Sequence, residues 1–472
     1  MYYYEENGLI YENENKEILV SFNPNFEFGE EIVIPNTVKK IQSHKVGEVA
    51  VPPRGFANFK APKSTLIIPS SVEKIDDLSF YYAKLDKVIF EEGFKKIDSL
   101  AFSNSKINEF VLPKSLKSIG FRAFDYSNTK IINLENVEII EQSAFSFSKI
   151  KYANLSENLK EIQQYVFNAC KELKKIDYNA SCDIPGYAFH ESGLRAVNIK
   201  VPIKKIGIGA FENCRDLKKV TLPNTLEVIE SISFAGDWSL NSIFIPSSVK
   251  EIGTFAFNGS YLENIVIEEG GNLSLGNKCF ANTTINQVVL PKSVTEIGDL
   301  VFECCRDLQK IEVYANVKAI PFGFVRHCTG LTDVILADNI TTLGKESFKN
   351  TGLKEIDDNF KNITDIEDNA FEKCIKLKNV ILHSSLKQLG ALAFKSCKKL
   401  ENIFVLSNPT TDFNSFAKIN KNATIYAPFL NTAHFDTDML SKITKNKDLT
   451  EEMITSIFPF RKSSRIIEEI ER

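Results

Sequence analysis

LPKSLKSIGFRAF at 112–124, IPSSVKEIGTFAF at 245–257 and LPKSVTEIGDLVF at 290–302 are three copies of one pattern set far apart in the chain. Each opens on an aliphatic residue and Pro, passes through a Ser-containing turn to Ile-Gly, and closes on a small or β-branched residue before Phe. IPSSVEKI at 68–75, ahead of all three, nearly coincides with IPSSVKEI at 245–252, the opening of the second. Aligned on Phe, the chain shows a ladder at Phe80, Phe102, Phe124, Phe145, Phe167, Phe189, Phe211, Phe234, Phe257, Phe280, Phe302, Phe324, Phe348, Phe371 and Phe394, with steps of 21 to 24 residues. Phe56 and Phe416 extend it to 17 rungs. Five residues before the Phe stands Ile or Leu in 14 of the 15 rungs from Phe80 to Phe394; Ala319 breaks the column, with Ile320 beside it.

A period near 22 residues marks a solenoid, because one coil cannot bury its apolar side alone and stacked coils bury it against each other. The segment after each Phe alternates aliphatic and variable residues, which suits a short strand with one face inward. Pro then ends the strand, since it brings no N–H to a ladder. The chain has 472 residues and 36 Phe, with 43% hydrophobic residues, so a large core is available and disorder is excluded. Its net charge of −4 offers no basic field for phosphates, so nucleic acid is not an expected partner. No stretch approaches the roughly 18–20 apolar residues that cross a bilayer, so no membrane insertion is expected. The opening MYYYEENGLIYENENKEILV lacks a positive segment followed by an apolar run, so no secretory signal is expected and a cytoplasmic location is suggested.

With units of the form I-P-x-S-V-x-x-I-G-x-x-A-F-x-x-C, the chain resembles the BspA-like (Treponema pallidum type) leucine-rich repeat over roughly residues 30–428. The resemblance implies a recognition scaffold for other proteins, and members of that family are often surface proteins that adhere to host or neighbouring cells. The expected fold is a β-rich repeat solenoid, a leucine-rich-repeat-like curved rod of about 16–17 coils with short parallel strands and capped ends. Residues 1–34 are expected to form a hairpin-like cap, 35–428 the array, and 429–472 a mostly helical cap or tail. Within these parts, Gln42 to Pro53 reads as a loop and ATIYAP at 423–428 as a terminal strand. Thr450 reads as the N-cap of a helix that Pro459 ends, and 463–472 as a further short helix.

The surface that varies most informatively is the strand position between the two inward aliphatics. In chain order it carries Ile67, Ile89 and Val111; then Asn133, Asn154, Asp177, Asn198 and Thr221; then Phe244, Val266 and Val289; then Glu312, Ile335, Asp357, Ile381 and Phe404. Apolar runs on an exposed sheet mark a binding patch, so the expected protein-contact residues are Phe244, Val266, Val289, Ile67, Ile89, Val111 and Phe404, with Tyr152 one column over beside the Asn stretch. The β-propensity of Val and Ile accounts for the same residues without a partner. A carbohydrate-active right-handed β-helix would share the period, but the outward acids Asp177, Glu312 and Asp357 never fall on neighbouring coils. A spacer that presents its carboxyl-terminal segment is a further alternative.

Six of the nine cysteines, Cys170, Cys214, Cys305, Cys328, Cys374 and Cys397, share one column where a small apolar residue is wanted. Cys305 with Cys328, and Cys374 with Cys397, fall on adjacent coils at a separation that permits a disulfide. His327 beside Cys304, Cys305 and Cys328 is the best metal constellation, yet it lacks ligand spacing. No GxSxG, Walker or HExxH motif occurs, and none of the five histidines falls in a catalytic one. The expectation is therefore no catalytic residue, no metal and no cofactor.

Overall fold

Alternating aliphatics give short strands, and the 21–24-residue period returns the chain to the same place one coil further on. The computed structural model accordingly shows a parallel β-solenoid of about 17 turns. It describes residues 3–42, 56–411, 414–429 and 442–444. The loop expected after Gln42 and the two carboxyl-terminal helices lie outside the described residues. The chain divides into two compact units, Met1–Ile243 and Phe244–Arg472.

The first unit begins with an antiparallel meander of Tyr4–Glu6, Leu9–Tyr11 and Ile18–Phe22. Ile18–Phe22 then pairs in parallel with Lys40–Ile41, which hands the meander on to the coils. Most coils contribute a longer strand, such as Tyr152–Leu155 or Lys175–Tyr178, and a two-residue strand, such as Ile139–Ile140 or Glu161–Ile162. The longer strands run in register, as Ala153 beside Ile176 and Leu155 beside Tyr178 show. The second unit repeats the scheme with Gln287–Leu290, Lys310–Val313 and Asp333–Leu336 in one sheet. In its last sheet Thr424–Tyr426, expected as terminal, is followed by one more strand, Ile443–Thr444.

Rung phenylalanines fill the interior. From Phe56 to Phe234 in the first unit they stack face to face at centroid spacings of 4.8–5.6 Å. In the second, Phe257–Phe280–Phe302 and Phe348–Phe371–Phe394–Phe416 stack at 5.2–5.7 Å. One assignment from the sequence is wrong. Phe302 N–H donates to Phe324 O as Phe280 N–H donates to Val301 O, so Phe324 occupies the position before the rung and Val325 is the rung itself. Ile320, which pairs with Leu343, is then the aliphatic five residues earlier, and the break at Ala319 disappears. Phe324 accordingly meets Phe302 edge-on at 85°.

Two residues of most coils sit in the left-handed region, two before and two after the rung, as Tyr165 (φ 61) and Ala169 (φ 54) do around Phe167. Such backbone costs roughly 1–2 kcal/mol for a non-glycine residue. Its benefit is visible in the ladder. The alternation aims three N–H groups at the next coil, with Tyr165 donating to Gly186 O, Phe167 to Ala188 O and Ala169 to His190 O. Donors that burial would otherwise orphan are thereby satisfied.

Candidate functional site

Strand alternation turns every second side chain away from the core, and pairing register decides which of these meet. In the first unit Val111 lies beside Ile89, Ile89 beside Ile67, and Ile67 beside Val33. This apolar stripe is open at its ends, where Val33 and Val111 are exposed, and Ile67 and Ile89 between them are half-buried. Val33 was missed in the sequence because the array was taken to begin at Pro35. IVIP at 32–35 nevertheless matches LIIP at 66–69, and that match is the signal that finds it. In the second unit Phe244, Val266 and Val289 occupy the outward position of three consecutive strands and keep 49%, 55% and 48% of their surface.

The remaining expected residues behave differently. Tyr152 is half-buried and its hydroxyl donates to Asp177 Oδ2 at 2.6 Å, while Lys175 Nζ lies 5.3 Å from its ring centroid. It belongs to the polar stretch formed with Asn133 and Asn154, which stand in register with Asp177. Phe404 is a correction: it is fully buried, with Tyr426 stacked on it at 4.8 Å, so it is no part of an accessible patch. Parity along the strand predicts its direction but not what lies over it.

The outward carboxylates are engaged one by one. The Tyr152 hydroxyl, with Lys175 at 3.1 Å, holds the Asp177 carboxyl below the usual range. Lys310 at 2.8 Å and the Tyr314 hydroxyl at 2.7 Å do the same for Glu312. Each is kept ionised as a hydrogen-bond acceptor, the reverse of the raised pKa that a general acid needs.

The cysteine column has a definite job. Each thiol donates to the carbonyl of a rung Phe: Cys170 to Phe145 O at 3.0 Å, Cys214 to Phe189 O at 3.0 Å, Cys374 to Phe348 O at 3.2 Å. Elsewhere Ser260 and Thr283 fill the column, and each donates instead to the rung Phe of its own coil, Phe257 O at 2.7 Å and Phe280 O at 2.8 Å, where the thiols reach back to the preceding coil. All nine thiols are free, and burial pushes Cys170 up to about 12. Among the described residues no group of three or more His, Cys, Asp or Glu is placed to hold a metal ion. Nor is any described helix long and apolar enough to cross a membrane.

A second surface was not legible as such. Tyr126 and Phe147, both at the left-handed position after the rung, are exposed and stack at 4.4 Å. Trp238 is half exposed beneath the Arg215 guanidinium at 4.4 Å.

The model of the BspA-type leucine-rich repeat region matches residues 50–174, 182–306, 270–361 and 358–451. Among solved structures, a leucine-rich repeat protein from Bacteroides ovatus is 21% identical, with a TM-score of 0.62, over 90% of this chain and 97% of that one. The pneumococcal vaccine antigen PcpA is 19% identical over 94% of this chain and 97% of its own, with a TM-score of 0.37. No curated protein matches the chain.

Proposed function

Because the chain belongs to the BspA-type leucine-rich repeat family, we propose that it is a non-enzymatic scaffold that recognises another protein through the outward face of its parallel sheets. The observation that carries this reading is the row of half-exposed Phe244, Val266 and Val289 on consecutive strands. Scattered exposed apolar residues are ordinary, but a contiguous row containing an aromatic residue is the composition of an interface centre. A rigid sheet also presents such a row at little entropic cost on binding. The stripe of Val33, Ile67, Ile89 and Val111 offers a second contact of the same kind in the other unit. The carboxylates tied to Lys and Tyr support binding over hydrolysis, and adhesion to a surface protein is the family-level form of this function.

The test uses the full chain as bait against cytosolic and cell-surface extracts, with a Phe244→Ser, Val266→Ser, Val289→Ser variant in parallel. Truncating a buried aromatic hot spot costs about 2 kcal/mol or more, roughly a thirtyfold loss of affinity. A genuine partner should therefore fall at least tenfold in quantitative mass spectrometry, while circular dichroism stays unchanged. Equal retention by the two baits would remove the proposed contact.

A further inference from the structure

One column of the first unit carries a charge that the repeat does not require. Backbone bonds run from Lys151 N–H to Lys130 O at 2.8 Å, from Lys174 N–H to Lys151 O at 3.1 Å, from Arg195 N–H to Lys174 O at 3.3 Å and from Lys218 N–H to Arg195 O at 2.9 Å. Five cations therefore stand in one row on five consecutive coils, each immediately before the longer strand. Their backbones are one strand spacing apart, about 4.8 Å, so the row is about 19 Å long. In the second unit the residues at this place, joined by the same bonds, are Glu263, Asn286, Gln309 and Thr332. The fold thus accepts acid, amide or hydroxyl there, and packing does not select a cation.

Like charges side by side repel, and this spacing is shorter than the Debye length of about 8 Å. Two of the five find a carboxylate, Lys174 with Asp216 at 3.0 Å and Lys151 with Glu172 at 3.9 Å. Lys130, Arg195 and Lys218 are exposed and make no ion pair among the described residues. Segments 128–134, 149–155, 171–178, 193–199 and 215–221 together carry ten Lys or Arg against three Asp or Glu, in a chain whose net charge is −4. We propose that the row Lys130, Lys151, Lys174, Arg195 and Lys218 is a docking site for an acidic, extended segment of a protein partner, about six residues long. Its carboxylates relieve the repulsion within the row, and Asn133, Asn154 and Asn198 on the same strands supply hydrogen-bonding amides beside it. The Asp177 carboxylate stands in the column of those amides, bonded to Tyr152 and Lys175. A peptide can set a neutral residue against it, whereas a polyphosphate brings a charge at every unit. This contact belongs to the first unit and does not rest on the Phe244 row.

Fluorescence anisotropy of a labelled decaglutamate peptide, titrated with the full chain at about 50 mM salt, tests the site where screening is weak. The Lys130→Gln, Arg195→Gln, Lys218→Gln variant should bind roughly tenfold more weakly, the combined effect of three exposed charge contacts. A Lys95→Gln, Lys292→Gln, Lys318→Gln variant makes the same change in net charge from exposed positions outside the row and should bind as the unaltered chain does. Equal loss in both variants overturns the proposal, because the attraction would then be to net charge alone, and so does a failure of the unaltered chain to bind the peptide. A single-stranded DNA decamer or a sulfated polysaccharide that outcompetes the peptide overturns the choice of an acidic protein segment. At the same salt the row variant should unfold at an equal or higher urea concentration than the unaltered chain; a lower midpoint would assign the cations to the fold and also overturn the site. The Phe244 row is read separately, on its own Ser variant, so either contact can fail alone.

Discussion

Phe167→Ala is expected to destabilise the protein by about 3–5 kcal/mol, the cost of emptying a phenylalanine site in a close-packed core. Phe167 is fully buried, with Phe145 stacked at 5.3 Å on one side and Phe189 at 5.6 Å on the other. The substitution removes both stacks and leaves a void between coils that are held at their spacing by backbone hydrogen bonds, including Phe167 N–H to Ala188 O at 2.8 Å. Those bonds keep the coils from collapsing into the space, which places the cost toward the upper end. Phe167→Leu keeps most of the volume and should cost far less, about 1.5 kcal/mol or below. Urea unfolding checks both: the midpoint should fall steeply for Ala and modestly for Leu, with an unchanged slope in each case. Equal midpoints for the two variants would mean that rung filling does not hold the array together.

Much of this fold was legible because its periodicity is a packing requirement written once per coil. The Phe column, the Ile column five residues earlier and the Pro after the strand all follow from stacking, and each recurs often enough to be seen. What was misread came from counting residue types instead of positions. Phe324 was taken as a rung because it is Phe, whereas hydrogen bonding makes Val325 the rung, and the displaced Ala319 was the clue. Of the candidate site, the outward position of Phe244, Val266 and Val289 follows from alternation alone. The burial of Phe404 does not, because alternation fixes a direction while accessibility depends on what the rest of the chain lays across it. The paired left-handed residues were equally hidden: positions as different as Leu100, Tyr165 and Asn213 adopt positive φ, so no residue type announces them. The need to aim N–H groups at the next coil sets them instead.

Asp237→Asn is expected to raise stability at neutral pH and to leave it nearly unchanged near pH 4. Asp237 stands in the column that Cys, Ser and Thr fill elsewhere, and it is fully buried. Its Oδ1 accepts from Cys214 N–H at 2.8 Å, and Oδ2 has no hydrogen-bond partner among the described residues. Burial pushes this carboxyl well above its ordinary range, against the opposing effect of the Cys214 N–H, and the Glu212 carboxylate adds to the rise. The sign follows from proton counting. Below the unfolded-state value of about 3.9 both states hold the proton and the group has no effect. Above it the unfolded chain releases the proton while the folded one retains it. Stability therefore falls as pH rises toward the folded-state value, by at most about 1.4 kcal/mol per pH unit. Other carboxylates act oppositely: Glu138, held down to about 2 by Lys160 and Lys117, favours the folded state above its unfolded value and loses that contribution on acidification. The difference between the variant and the unaltered chain isolates Asp237 from these. Urea midpoints of the two proteins should converge near pH 4 and separate progressively toward pH 7, with the Asn variant the more stable. A difference that does not change with pH would mean that the carboxyl titrates alike in both states, which its burial between stacked coils forbids.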